Sequence, residues 1–226
     1  MTATALKTAV LISGGGSNLK ALIDAVATGR LKMDIVRVIS NREQAAGLAY
    51  AISAGIPVSV ISQADYPDRQ SHDAAIAQAL QQDQPQLVVL AGYMRILDEG
   101  LTDRYCGRMI NLHPSLLPAY KGLDTYNRVL QAGDRETGAS IHFVSAGLDA
   151  GPVISQVRIP VHADDDADSL SSRLGPLEHS LLVATVSLFC ERAIHCSDGD
   201  IIYHGEVLQR PLQMNPGDPP ALSKQT

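Results

Sequence analysis

Short apolar runs alternate with stretches of helical spacing through the first half of this chain, and no hairpin signal interrupts them. Thr8–Ile12 ends in Ser13-Gly14-Gly15-Gly16, after which Leu19, Leu22, Ile23 and Val26 recur on one helix face. Ile35–Ile39 reads as a second strand, and Gln44–Ala54 as a helix stopped by Gly55 and followed by Pro57. Val58–Ile61 is a third, short strand, and Asp65 is placed to cap a helix reaching Gln82. Leu87–Ala91 is apolar throughout, as in a strand covered on both faces, and Arg108–Leu112 is a fifth strand. The alternation predicts an α/β fold: a largely parallel sheet with helices on both faces.

The order changes after residue 135. Ala139–Ser145 and Val153–Ile159 are strand-like and closely connected, which predicts antiparallel additions to the sheet. Ser169–Ala193 reads as a long helix, irregular near Gly175-Pro176, and Ile201-Ile202 with Glu206–Leu208 as a small hairpin. With no repeat and no linker, residues 1–210 are expected to form one domain, and the Pro-rich, polar stretch 211–226 to fray.

Composition removes several classes of function. Aromatic residues make up 4% of the chain, there is no Trp, and the formal net charge is −6, so neither a stacking platform nor a basic surface for nucleic acid is expected. Cys106, Cys190 and Cys196 have neither disulfide-framework nor zinc-site spacing. No apolar stretch is long enough to span a bilayer, so a cytoplasmic protein without membrane partners is the default expectation.

Asn111-Leu112-His113-Pro114-Ser115-Leu116-Leu117-Pro118 carries the strongest chemical signal. Residues at i and i+2 of an extended segment point the same way, so Asn111 and His113 either address one reacting atom from one wall or are simply a strand end with a polar turn. An amide donates hydrogen bonds while an imidazole changes charge near neutrality, which suits a carbonyl being polarised as a proton moves. Asp149, between Gly147 and Gly151, is either a turn-former or a carboxylate thrust toward His113, where it would favour the imidazolium.

Ser13–Asn18 places glycines and exposed N–H groups at a helix start, as for a small phosphate, although a plain tight turn has the same composition. It lacks the Gly-Lys-Ser/Thr of a nucleotide-triphosphate loop, and Leu19 stands where the dinucleotide fingerprint needs a third glycine. Gly92–Leu97 follows the fourth strand; taken alone it reads as a loop packed on apolar side chains, and the other reading is an apolar slot for a flat heterocycle. Glu178 lies in an otherwise apolar helix, either holding a substrate amine or facing solvent; Asp164-Asp165-Asp166 reads as a solvated loop. His72, His142, His162 and His204 have no partner legible in the sequence.

In order along residues 7–210, these segments resemble the phosphoribosylglycinamide formyltransferase family, the folate-dependent enzymes of purine synthesis. Leu11–Leu19 is similar to the family's phosphate loop, Leu90–Leu97 to its folate segment, and Asn111–Pro118 with Leu148–Ile154 to its two catalytic segments. The resemblance implies a Rossmann-like formyltransferase domain, monomeric or homodimeric, acting on small molecules without a metal. It implies Asn111, His113 and Asp149 as the catalytic set, with Asp149 keeping His113 protonated. It implies Gly16, Ser17, Asn18 and Glu178 on glycinamide ribonucleotide, and Arg69, Met94, Arg95, Ile96, Leu97 and Asn111 on 10-formyltetrahydrofolate. Asp124 and Tyr126 depart from the histidines many members carry there, and Lys121 from a proline in some.

Relatives with the same segments set the alternatives: a 10-formyltetrahydrofolate hydrolase, a formyltransferase for another amine such as a sugar nucleotide, or a non-catalytic binder. The hydrolase is expected to carry an extra amino-terminal domain, and an initiator-tRNA formyltransferase a basic carboxyl-terminal one.

Overall fold

The computed structural model describes residues 4–197, 199–217 and 221–224. Its main sheet has nine strands. The parallel part comprises β1 (Leu6–Ile12), β2 (Met33–Ser40), β3 (Val58–Val60), β4 (Leu87–Leu90) and β5 (Met109–His113). β6 (Glu136–Phe143) pairs antiparallel with β5, and β7 (Val153–Pro160) antiparallel with β6. With β11 (Leu212–Met214) and β12 (Leu222–Ser223), the order is β12-β11-β7-β6-β5-β4-β1-β2-β3. A second small sheet joins β8 (Ile194–Ser197), β9 (Asp200–Tyr203) and β10 (Glu206–Val207).

The period-two geometry of the central strands divides their apolar residues between two cores. Val10, Ile12 and Val89 pack on one side with α1 (Ser17–Ala27), α2 (Gly47–Ser53) and α6 (Ala167–Cys190). Ala9, Leu11, Val88 and Leu90 pack on the other with α3 (Arg69–Asp83) and α4 (Glu99–Arg104). Helices therefore cover both faces, which is why Leu87–Leu90 is buried at every position and apolar throughout.

Some boundaries differ from the expectation, for local reasons. The cap of α3 is Asp68, whose side chain accepts from the Ser71 N–H, not Asp65. Pro67 disfavours a helical residue before it, and Tyr66 is extended. α4 and α5 (Thr125–Ala132) are short helices in stretches to which the sequence pattern assigns no element. α6 runs continuously through Pro176 and is closed by a capping box between Asp166 and Ser169, while Asp165 pairs with Arg173 at 3.1 Å. Within the stretch expected to fray, Leu212–Met214 joins β7 as a parallel strand and buries Leu212 and Met214. No helix among the described residues is long and apolar enough to cross a membrane.

Candidate functional site

β4 and β5 end beside a cavity of about 610 Å³. Its walls are Tyr93–Leu97 after β4, Asn111 and His113 of β5, Leu123–Tyr126 leading into α5, and Leu148-Asp149 of the β6–β7 turn. Met94, Ile96, Leu123 and Leu148 expose apolar surface, although each is a large hydrophobic side chain. Such a slot, with a few convergent polar groups, suits a flat, partly polar ligand.

Asn111 and His113 lie two positions apart on β5 and both face the cavity, as the i, i+2 spacing predicts. Asp149 reaches them from across the cavity on a turn that holds it at φ 43, a left-handed conformation that Asp tolerates better than most residues. Its Oδ2 lies 3.4 Å from His113 Nδ1 and accepts from the Gly122 N–H at 2.9 Å. Its Oδ1 lies 3.5 Å from Asn111 Nδ2.

His142 completes the cluster and carries no local sequence signal. It pairs across the β5–β6 ladder opposite Asn111. A carbonyl can only accept, so its Nδ1–H donates to the Phe143 carbonyl at 2.8 Å. Nε2 lies 3.1 Å from Asn111 Nδ2 and 3.5 Å from Asp149 Oδ1, so it accepts from the amide when bare and donates to the carboxylate when protonated. With Nε2 bare, both Asn111 amide hydrogens face protein acceptors. Donation to a substrate oxygen would exchange the longer contact, to Asp149, for a new one.

His113 Nε2–H donates to the Tyr120 carbonyl at 2.9 Å, so Nδ1, facing Asp149, is the nitrogen that titrates. The expectation that Asp149 lifts His113 above the usual imidazole range is corrected here. Burial holds the His113 pKa below that range, outweighing the upward pull of the Tyr120 carbonyl and of Asp149. At 3.4 Å the carboxylate is near enough to attract and too far for a short ionic bond. For Asp149, burial pushes upward, but His142, the Gly122 N–H and His113 together hold the carboxyl below its usual value.

The glycine loop lies beside this cavity, outside its walls. Gly16 opens α1 at φ 73, and a Cβ there would stand 2.4 Å from the Gly47 Cα, so the turn and the helix contact both require glycine. Ser17 and Asn18 start α1, and the buried Asn18 Oδ1 has no hydrogen-bond partner. Ser13 ties the loop to the cavity wall: its hydroxyl donates to Asn41 Oδ1 at 2.6 Å and accepts from the Met94 N–H at 2.8 Å. Ser13→Ala strands both partners in a buried setting and is expected to lower unfolding free energy by about 2 kcal/mol. Urea denaturation checks this, and an unchanged midpoint would contradict it.

Glu178 meets the site through Tyr126, whose hydroxyl donates to Glu178 Oε1 at 3.2 Å. Burial pushes the Glu178 carboxyl up to about 7, against the lowering effect of that hydrogen bond. The folded chain then holds a proton that the unfolded chain releases between the usual carboxylate value of 4.5 and about 7. Stability therefore falls as pH rises through that window, by about 3 kcal/mol in total, and stays low above it. Glu178→Gln is expected to melt higher than the parent near pH ~8 and alike near pH ~5. Parallel melts with the same offset at both pH values would refute this. Arg69 is the exposed first residue of α3 and is not among the residues walling the cavity.

Comparisons with known proteins place the chain in a family. Residues 6–186 match the family described as formyl transferase. Phosphoribosylglycinamide formyltransferase of Escherichia coli (strain K12) is 42% identical over 80% of this chain and 86% of that one. The trifunctional purine biosynthetic protein adenosine-3 of Drosophila melanogaster is 45% identical over 76% of this chain, which spans 13% of that much longer protein. The solved phosphoribosylglycinamide formyltransferase of Coxiella burnetii superposes with a TM-score of 0.87 at 40% identity, covering 90% of this chain and 96% of that one. With the family match running through Asn111–Pro118 and Leu148–Ile154, this chain belongs to the phosphoribosylglycinamide formyltransferase family.

Proposed function

We propose that residues 1–210 act as one domain that transfers the formyl group of 10-formyltetrahydrofolate to the glycyl amine of 5-phosphoribosylglycinamide, a step of purine synthesis. The observation that carries this reading is the convergence of Asn111, His113 and Asp149 at 3.4–3.5 Å in one cavity with an apolar wall. The wall suits the folate heterocycle, with Met94, Arg95, Ile96 and Leu97 flanking it and Asn111 reaching its formyl group. Gly16, Ser17 and Asn18 are suited to the ribonucleotide phosphate: α1 leaves its first N–H groups uncapped by any side chain, and its dipole favours an anion there. Glu178 is suited to the amine.

The residues then divide the work. The neutral amine attacks the formyl carbon, and the carbonyl π pair moves onto oxygen. Asn111 Nδ2 donates to that oxygen, and His113 offsets its charge in the fraction of molecules that carry a proton on Nδ1 against the effect of burial. The attacking nitrogen must lose one proton and the departing folate nitrogen must gain one. Asp149 holds the relay water between them, so the C–N bond breaks with no net proton change. The chemistry calls on no metal, since fixed donors supply the stabilisation.

Steady-state assays of folate deformylation, with and without glycinamide ribonucleotide, test the reading. Turnover that requires the ribonucleotide supports transfer. Turnover independent of it would replace transfer with hydrolysis.

A further inference from the structure

Behind the apolar wall of the cavity lies a titratable pair with no part in the chemistry above. His72 and Asp73, adjacent on α3, are both completely buried. The His72 Nε2–H donates to the Ile61 carbonyl at 2.9 Å, and Nδ1 lies 2.9 Å from Asp73 Oδ1. The second oxygen of Asp73 accepts from the Asp98 N–H at 2.6 Å. One proton lies between His72 Nδ1 and Asp73 Oδ1, so the pair is neutral as a whole and the second carboxyl oxygen still accepts from Asp98. The ring edge of Tyr66 packs against the imidazole at 5.5 Å and closes the pocket around it.

The Asp98 amide follows directly on Tyr93–Leu97, the cavity wall. At the other end of that segment, the Met94 amide is held by Ser13 at 2.8 Å. The wall is thus a short, irregular stretch fixed at both ends by buried side-chain acceptors rather than by a strand partner. Asp73 is also felt by Tyr93, adding to the burial that pushes its phenol upward. A loop fixed in advance meets its ligand without a further ordering cost. A buried carboxylate can hold an amide firmly only if its charge is balanced, and His72 supplies that balance.

We infer that the buried His72–Asp73 pair is a positioning device for the folate side of the cavity, setting the register of Tyr93–Leu97 through the Asp98 amide. This rests on the proposed occupancy of that wall by folate. Truncating either member strands a buried polar group and endangers folding, so the test alters the amide instead. Asp98 has φ −74, which proline adopts unstrained, and Asp98→Pro removes the N–H while leaving the pair intact. Asp98 also caps α4 by accepting from the Leu101 N–H. Asp98→Ala removes that cap and keeps the N–H, so the comparison of the two variants isolates the clamp.

Relative to Asp98→Ala, Asp98→Pro is expected to raise KM for 10-formyltetrahydrofolate about tenfold, with kcat and KM for the ribonucleotide within about twofold. Equal folate KM in the two folded variants would overturn the clamp and leave the functional reading standing. Failure of the unaltered protein to use 10-formyltetrahydrofolate at all would sink both.

Discussion

Asp149→Asn is expected to lower kcat by about 10²–10⁴-fold while leaving both KM values within about threefold. The substitution keeps the shape of the side chain and an oxygen able to accept from Gly122, whose N–H bonds Asp149 at 2.9 Å. It removes the charge that faces His113 at 3.4 Å and the acceptor for a relayed proton. Because Asp149 pulls the His113 pKa upward against burial, the imidazole is expected to titrate still lower in the variant. Steady-state kinetics and a histidine NMR titration check the two halves separately. An equal loss in binding and turnover would argue that Asp149 holds substrate rather than moving charge. An unmoved His113 titration would remove the electrostatic link.

Gly151→Ala is expected to cost about 3 kcal/mol of stability, and activity beyond that. Gly151 is buried where the β6–β7 turn passes under the end of β6, and an added Cβ would stand 1.8 Å from the Phe143 carbonyl oxygen. That oxygen is backbone and accepts the His142 Nδ1–H at 2.8 Å, and the Phe143 N–H donates to Pro152 at 2.9 Å. Relief of the clash therefore displaces either the ladder carrying His142 or the turn carrying Asp149. For a chain of this size the loss corresponds to a Tm lowered by roughly 6–12 °C. A melt combined with kinetics well below Tm checks it. A variant as stable and as active as the parent would show that the turn adapts freely.

The parts of the fold legible in the sequence are those dictated by burial on both sides. Ala9–Ile12 and Leu87–Leu90 are apolar because each alternate residue enters one of the two cores, and the glycine loop, Asn111 and His113 lie at or just beyond the carboxyl ends of such strands. What escaped the sequence depends on register and packing. His142 joins the site because the ladder sets it opposite Asn111, a pairing that no local pattern encodes. The Asp73 clamp depends on how α3 packs against the segment after β4. α5 did carry a signal, with Tyr126, Val129 and Leu130 at helical spacing, but it is only Thr125–Ala132 long and follows a glycine-containing turn. The direction of the His113 shift was misjudged because a sequence shows the neighbouring carboxylate and not the depth of burial.

The central claim is that the cavity moves a formyl group onto an amine. Supplying 10-formyltetrahydrofolate labelled with carbon-13 in its formyl group, together with glycinamide ribonucleotide, follows that carbon directly. The account predicts the label as a formamide on the ribonucleotide, formed in step with tetrahydrofolate and lost together with it in Asp149→Asn. Label recovered as free formate, at a rate indifferent to the ribonucleotide, would contradict it.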